Sequence, residues 1–148
     1  MIAAQSSVYE AGAAYLRAGW QPLALSPKTK VPRHSGWQQR KLTEPELEQE
    51  FRSSDNIGMQ CGLPSQGLID VDVDDPAALA LAAHYLPSSD MRHGRIGNPN
   101  SHFWYQVDES DCKTVQFRDP DGNAMLIEIR GTGGRPWFHR ARTLPVRF

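Results

Sequence analysis

The sequence predicts an α+β domain built around a sheet that carries acids on one face. Three observations predict it. The run Leu68-Ile69-Asp70-Val71-Asp72-Val73-Asp74 alternates apolar residues with acids, which is the pattern of a β-strand. Helical patterns with cap signals are confined to the first 85 or so residues. The last third instead reads as successive strands. Together these favour helices grouped apart from a mixed or antiparallel sheet.

The elements follow in order. Ser7 and Glu10 have capping-box spacing, and Val8, Ala11, Tyr15 and Leu16 recur at helical intervals up to Gly19. Trp20 to Leu25 is a short strand. Lys28 to Pro32 is a basic, proline-bounded loop leading to Gly36-Trp37. Thr43 and Glu46 form a second capping box, opening a helix with Leu47 and Phe51 on its apolar side. Asn56 to Cys61 is a strand, and Gly62 to Gly67 turns into the acidic strand. Asp75 caps a helix with Pro76 at its first position, running to about Tyr85 before Pro87. Met91 to Asn100 reads as a basic, glycine-containing loop, and His102 to Val107 as a strand. Thr114–Phe117 and Ala124–Arg130 form a hairpin around Asp119-Pro120-Asp121-Gly122-Asn123.

Composition narrows the function classes. A chain of 148 residues suits a single domain with a real core. A net charge of −1 gives no global basic field, so nucleic acid must be met by a local patch. Cys61 and Cys112 fall in separate expected strands and form no CxxC pair, which argues against a zinc knuckle or a disulfide framework. No apolar run is long enough for a membrane span, and no signal peptide is recognisable. The expectation is a cytoplasmic protein.

Period two places Asp70, Asp72 and Asp74 on one strand face. Like charges so close raise each other's cost of ionisation, and solvent or a cation must relieve it. A solvated acidic edge strand is the plain alternative. Ser101-His102 entering one strand and Glu128 within another offer partners. An EF-hand loop from Asp70 would need Gly at its sixth position and Glu at its twelfth, where Asp75 and Leu81 stand. There is no Walker A loop, HExxH or GxSxG. Gly131-Thr132-Gly133-Gly134 precedes no expected helix. Carboxylates from neighbouring strands, with a basic side chain nearby, are what two-metal phosphoryl transfer needs. Hard oxygen donors suit Mg²⁺ or Mn²⁺.

These residues carry a resemblance. The chain is similar, from about Ala13 to Gly134, to the N-terminal catalytic domain of bifunctional DNA primase/polymerases. That is the prim-pol branch of the archaeo-eukaryotic primase superfamily, found on phages, prophages and plasmids. The matching stretches are Ala18-Gly19-Trp20-Gln21-Pro22-Leu23, Lys30-Val31-Pro32, Gly36-Trp37, Asn56-Ile57-Gly58 with Gly62, the acidic strand, Ser101-His102 and Ile127-Glu128. Each is short, and their order and spacing give the specificity. The resemblance implies an N-terminal α/β unit (1–62), a catalytic sheet unit like an RNA-recognition motif (63–134), and an atypical tail (135–148), all in one prim-pol-like domain. It implies nucleotidyl transfer from (d)NTPs onto a primer on a DNA template. A helicase domain or protein is the further partner it suggests.

Carried over residue by residue, the register favours Asp72 and Asp74 as the acid pair, with Asp70 as an extra acid. Asp70 and Asp72 form the other reading. Glu128 becomes the third metal ligand, and His102 contacts the triphosphate. Ser101, Lys30, Arg92, Arg95 and Arg130 are the further nucleotide-binding candidates. Asp75 is read as a helix cap, and His93 and Trp104 as loop and sheet packing. Asn98-Pro99-Asn100 departs from the Gly-Gly often found before the histidine. Two other classes stay open: a nucleotide- or nucleic-acid-binding remnant without turnover, and a metal-dependent phosphohydrolase or nuclease.

The tail departs from the family pattern, which continues with a Pro-Pro-Ser-like segment. Read one base back, with permissive codons, Trp137-Phe138-His139-Arg140 yields Val-Pro-Pro. Residues from about Arg135 onward are therefore expected to be out of frame. The domain would then be truncated, marginally stable and weakly active or inactive.

Overall fold

The structure is a computed structural model that describes residues 7–133 and the backbone of 137–138. The chain divides into two compact units, residues 1–60 with 135–148, and residues 61–134.

In the first unit, helix α1 (Val8–Arg17) opens with the expected capping box. The Glu10 amide donates to Ser7 Oγ, and the Ser7 amide donates to Glu10 Oε2. Strand β1 (Gln21–Leu25) pairs antiparallel with β2 (Asn56–Gln60). Pro22 is tolerated because β1 is an edge strand. The second capping box, Thr43 with Glu46, is also present. It opens a 3₁₀ turn and then only one α-turn, α2 (Leu47–Glu50), so Phe51 lies beyond the helix yet remains buried. Val8, Ala11, Tyr15, Trp20, Leu25, Leu47, Phe51, Ile57 and Met59 are buried in this unit. Two acids are buried there too. Asp55 is held by Arg33, and Glu50 by Arg40 at 2.5 Å.

The second unit is a five-stranded antiparallel sheet. Its strands are β3 (Leu68–Val73), β4 (Arg92–Arg95), β5 (Asn98–Gln106), β6 (Val115–Arg118) and β7 (Met125–Arg130), in spatial order β4-β5-β3-β7-β6. Helix α3 (Pro76–Tyr85) follows β3, with Asp75 Oδ1 accepting from the Ala78 amide at 2.8 Å as the cap signal predicts. Ala78, Leu79 and Ala82 of α3 pack against Ile69, Val71, Val73, Phe103, Ile127 and Ile129. One face of the sheet is therefore covered by α3, and period two sends the acids to the other.

The α+β class stands, with its strands shared between two sheets. The five strands that carry the acids are wholly antiparallel. One element differs outright from expectation. Met91 to Asn100 is not a loop: residues 92–95 and 98–106 form a hairpin with a register irregularity at its tip. Gly94 sits at that irregularity, where an added Cβ would lie 2.4 Å from the Asn98 carbonyl oxygen. Cys61 and Cys112 lie just outside strands, and both are buried and free. Among the described residues no helix is long and apolar enough to cross a membrane.

Trp137 and Phe138 form a short strand, β8, pairing antiparallel with Ile57 and Gly58 of β2. The packing of their side chains and the rest of the tail from Gly134, on which the expected frame change bears, lie outside the described residues.

Candidate active site

Strand β3 is the middle of its sheet, so Asp70 and Asp72 each have a neighbour on both sides. Asp72 stands opposite His102 of β5 and opposite Glu128 of β7. Asp70 stands opposite Trp104 and Arg130. One row across three strands thus brings together the histidine, the central acid and the third acid expected from sequence. The next row adds an indole and a guanidinium.

The three acids of β3 differ in depth. Asp70 is fully buried, Asp72 is 6% exposed, and Asp74, just past the strand end, is exposed. Asp70 accepts from His102 Nδ1 at 2.9 Å and from Arg130 Nη1 at 3.1 Å through Oδ2. It acts as an internal counter-ion. Asp72 Oδ2 accepts from Arg130 Nη2 at 2.5 Å, and its Oδ1 lies 3.5 Å from His102 Nε2. Burial raises the Asp72 pKa above the ordinary carboxylate value, and Asp70 and Asp74 add to that. His102 and Arg130 oppose it without reversing it.

Arg130 joins the cluster. Its Nε donates to Glu128 Oε2 at 2.8 Å, while Glu128 Oε1 accepts from Gln116 Nε2 at 2.7 Å. Burial alone would lower the Arg130 pKa. The charges of Asp70, Asp72 and Glu128 outweigh it and hold the guanidinium above its ordinary value. Among the described residues no three acid, histidine or cysteine side chains are arranged to hold a metal ion as they stand. The donor set nevertheless suits a hard divalent cation. Asp72 and Glu128 already converge on one cationic group, the Arg130 guanidinium, and Asp74 is exposed just past the end of β3.

His102 is oriented on two sides. Asp70 engages Nδ1, and the His93 ring stacks on it at 4.1 Å between centroids and 14° between planes. Trp104 Nε1 donates to His93 Nδ1 at 2.9 Å. The sequence assigns His93 to loop packing, whereas the structure places it in β4 against the His102 ring. Its place opposite His102, across the turn at Ile96-Gly97, depends on strand register.

The structure does not bring every candidate here. Ser101 is buried and, one residue from His102 along β5, belongs to the opposite face. Arg92 pairs with Phe103 and lies over its ring at 4.7 Å, on that same opposite face. Arg95 is exposed at the tip of the β4–β5 hairpin. Lys30 is exposed in the first unit, in the loop closed by the Leu25–Pro32 bridge.

No curated protein matches the chain. A family model does, and it runs past Gly134, where the residue-level resemblance ends. It spans residues 12–139, all of the second unit and most of the first, and the chain belongs to the bifunctional DNA primase/polymerase, N-terminal family, Prim-Pol.

Proposed function

We propose that this domain carries out template-directed nucleotidyl transfer from (d)NTPs, with Asp72, Asp74 and Glu128 as ligands for Mg²⁺ or Mn²⁺. The observation that carries the reading is the row His102–Asp72–Glu128 on one polar sheet face, in a chain of the Prim-Pol family. A divalent ion held there supplies activation of the attacking 3′-hydroxyl and charge neutralisation at the phosphates.

The chain's own groups do the rest. Asp70 and the stacked His93 hold the His102 ring with Nε2 on the Asp72 side, beside the place proposed for the triphosphate. A positioned donor there stabilises charge that moves toward the leaving pyrophosphate. Arg130 and Arg95 are the cations of this unit assigned to phosphates. Arg92 and Ser101 are left out of the assignment, because they belong to the α3 side of the sheet. Asp70 is assigned as a counter-ion, since His102 and Arg130 already engage its carboxylate in full burial.

In the same reading, residues 61–134 form the sheet unit of a primase-like fold. One antiparallel sheet with a helix on its apolar face supports a resemblance to an RNA-recognition motif. Replication of a phage, prophage or plasmid is the setting the family suggests.

The test is primer extension and de novo priming by the purified chain with Mg²⁺ or Mn²⁺, beside Asp72→Ala, Asp74→Ala and Glu128→Ala. Extension lost in each variant, with template binding kept, is the expected result. Parental extension by Asp72→Ala would remove the site assignment. Strand cleavage without extension would identify a nuclease, and binding without either a non-catalytic remnant.

A further inference from the structure

The acids proposed to hold a divalent ion already hold a cation. Arg130 gives a separate nitrogen to each of three carboxylates: Nη1 to Asp70 at 3.1 Å, Nη2 to Asp72 at 2.5 Å and Nε to Glu128 at 2.8 Å. Its side chain is 19% exposed, against 0%, 8% and 17% for those acids. Three acids this close need positive charge among them to stay ionised. Arg130 supplies it from within the same strand, two residues beyond Glu128 and on the same face.

The partners of Arg130 are of two kinds. Asp72 and Glu128 are assigned to the metal, and Asp70 is not. An ion that draws on Asp72 and Glu128 must take them from the guanidinium. The fully buried Asp70 stays behind as its anchor.

We infer that Arg130 is an exchangeable internal counter-ion, which occupies Asp72 and Glu128 in the metal-free protein and competes with the divalent ion for them. This rests on the proposed metal ligands. It also accounts for how one arginine serves both acids and phosphates. Once the ion takes the two carboxylates, Nε and Nη2 are left facing the polar side of the sheet, where the triphosphate is placed.

The competition has a readout that needs no catalysis. Mn²⁺ binding is measured by calorimetry on the wild-type chain, Arg130→Met and Arg130→Lys, with thermal melts of each before and after Mn²⁺. Arg130→Met removes the competing charge and keeps much of the apolar stem. Its Mn²⁺ affinity should rise about tenfold, the size of one charge-assisted contact released from competition. Its metal-free melting temperature should fall, and Mn²⁺ should raise it by more than in the wild type. Arg130→Lys keeps a charge but not a three-way fork, so it should fold and fall between the two. Wild-type binding of Mn²⁺ with equal or weaker binding by both variants would overturn the inference and leave the metal site standing. Binding by Arg130→Met but not by the wild type would support it in its strongest form. Failure of all three to bind would end both readings.

Discussion

Asp70 and Asp74 are both aspartates, one within β3 and one just past its end, and they should fail in opposite ways. In Asp70→Asn, two charge-assisted hydrogen bonds lose their charge, those from His102 Nδ1 and Arg130 Nη1. Each such bond is worth about 1.5–3 kcal/mol. Arg130 keeps Asp72 and Glu128, so it is not orphaned. The amide oxygen retains part of one bond, and removing a buried charge relieves Asp72. The net cost should be about 2–3 kcal/mol, which for a chain of this length lowers the melting temperature by roughly 5–10 °C. Asp74 is exposed, and its backbone amide donates to the Leu126 carbonyl. Asp74→Ala should change stability by no more than about 0.5 kcal/mol. Its Mn²⁺ affinity should nevertheless drop at least tenfold or so, as expected when one of three hard ligands is removed. Calorimetric melting of the metal-free proteins and Mn²⁺ titration separate the two effects. If Asp70→Asn lost Mn²⁺ at an unchanged melting temperature while Asp74→Ala bound it normally, the metal pair would be Asp70 and Asp72.

Three further expectations follow from the same geometry. His102→Ala should raise the nucleotide KM or lower the rate while Mn²⁺ binding persists; loss of Mn²⁺ in a titration would make His102 a ligand. The Asp72 pKa is raised in the folded state, so its protonated form is favoured there. That contribution is present below the ordinary carboxylate pKa and lost as pH rises through the folded value. The melting temperature of metal-free Asp72→Asn, relative to wild type, should therefore climb as pH rises from the ordinary carboxylate range; a flat or falling difference contradicts the assignment. Gly131→Ala would put a Cβ 2.0 Å from the Cys112 carbonyl oxygen, a backbone atom that cannot turn aside. It should cost about 2–3 kcal/mol in a denaturant titration, and a loss below about 0.5 kcal/mol would show that the chain yields there.

Local signals in the sequence were enough for the elements around the site. Alternation at 68–73, the caps at Ser7, Thr43 and Asp75, and the turn at 119–123 each act over a few residues, and each appears in the structure. The β4–β5 hairpin was not legible, because Arg92-His93-Gly94-Arg95 has neither alternation nor strand-favouring residues. Its strand exists through backbone pairing with β5, which a local pattern does not encode. The convergence of His102, Asp72 and Glu128 needed register, which depends on partners 30 and 56 residues away in sequence. Arg130 looked like a phosphate ligand for the same reason. Its bonds to three acids appear only when β3 and β7 are side by side. Ser101 is different. The expected strand starts at His102, whereas β5 runs through Ser101, so strand parity puts it on the face opposite His102.

The central position of β3 also fixes when its acids can meet their partners. Hairpins β4–β5 and β6–β7 close over a few residues and carry little loop-closure entropy. β3 pairs only with strands that come later in the chain, on both of its flanks. Until those hairpins exist, Asp70, Asp72 and Asp74 have no counter-charge and favour an extended, solvated strand. The insertion of β3 between two preformed hairpins is then a late, non-local step in folding. In kinetic terms, substitutions along β3 should speed unfolding more than they slow folding. The row His102–Asp72–Glu128 should then be the last seam of the sheet to close and the first to open.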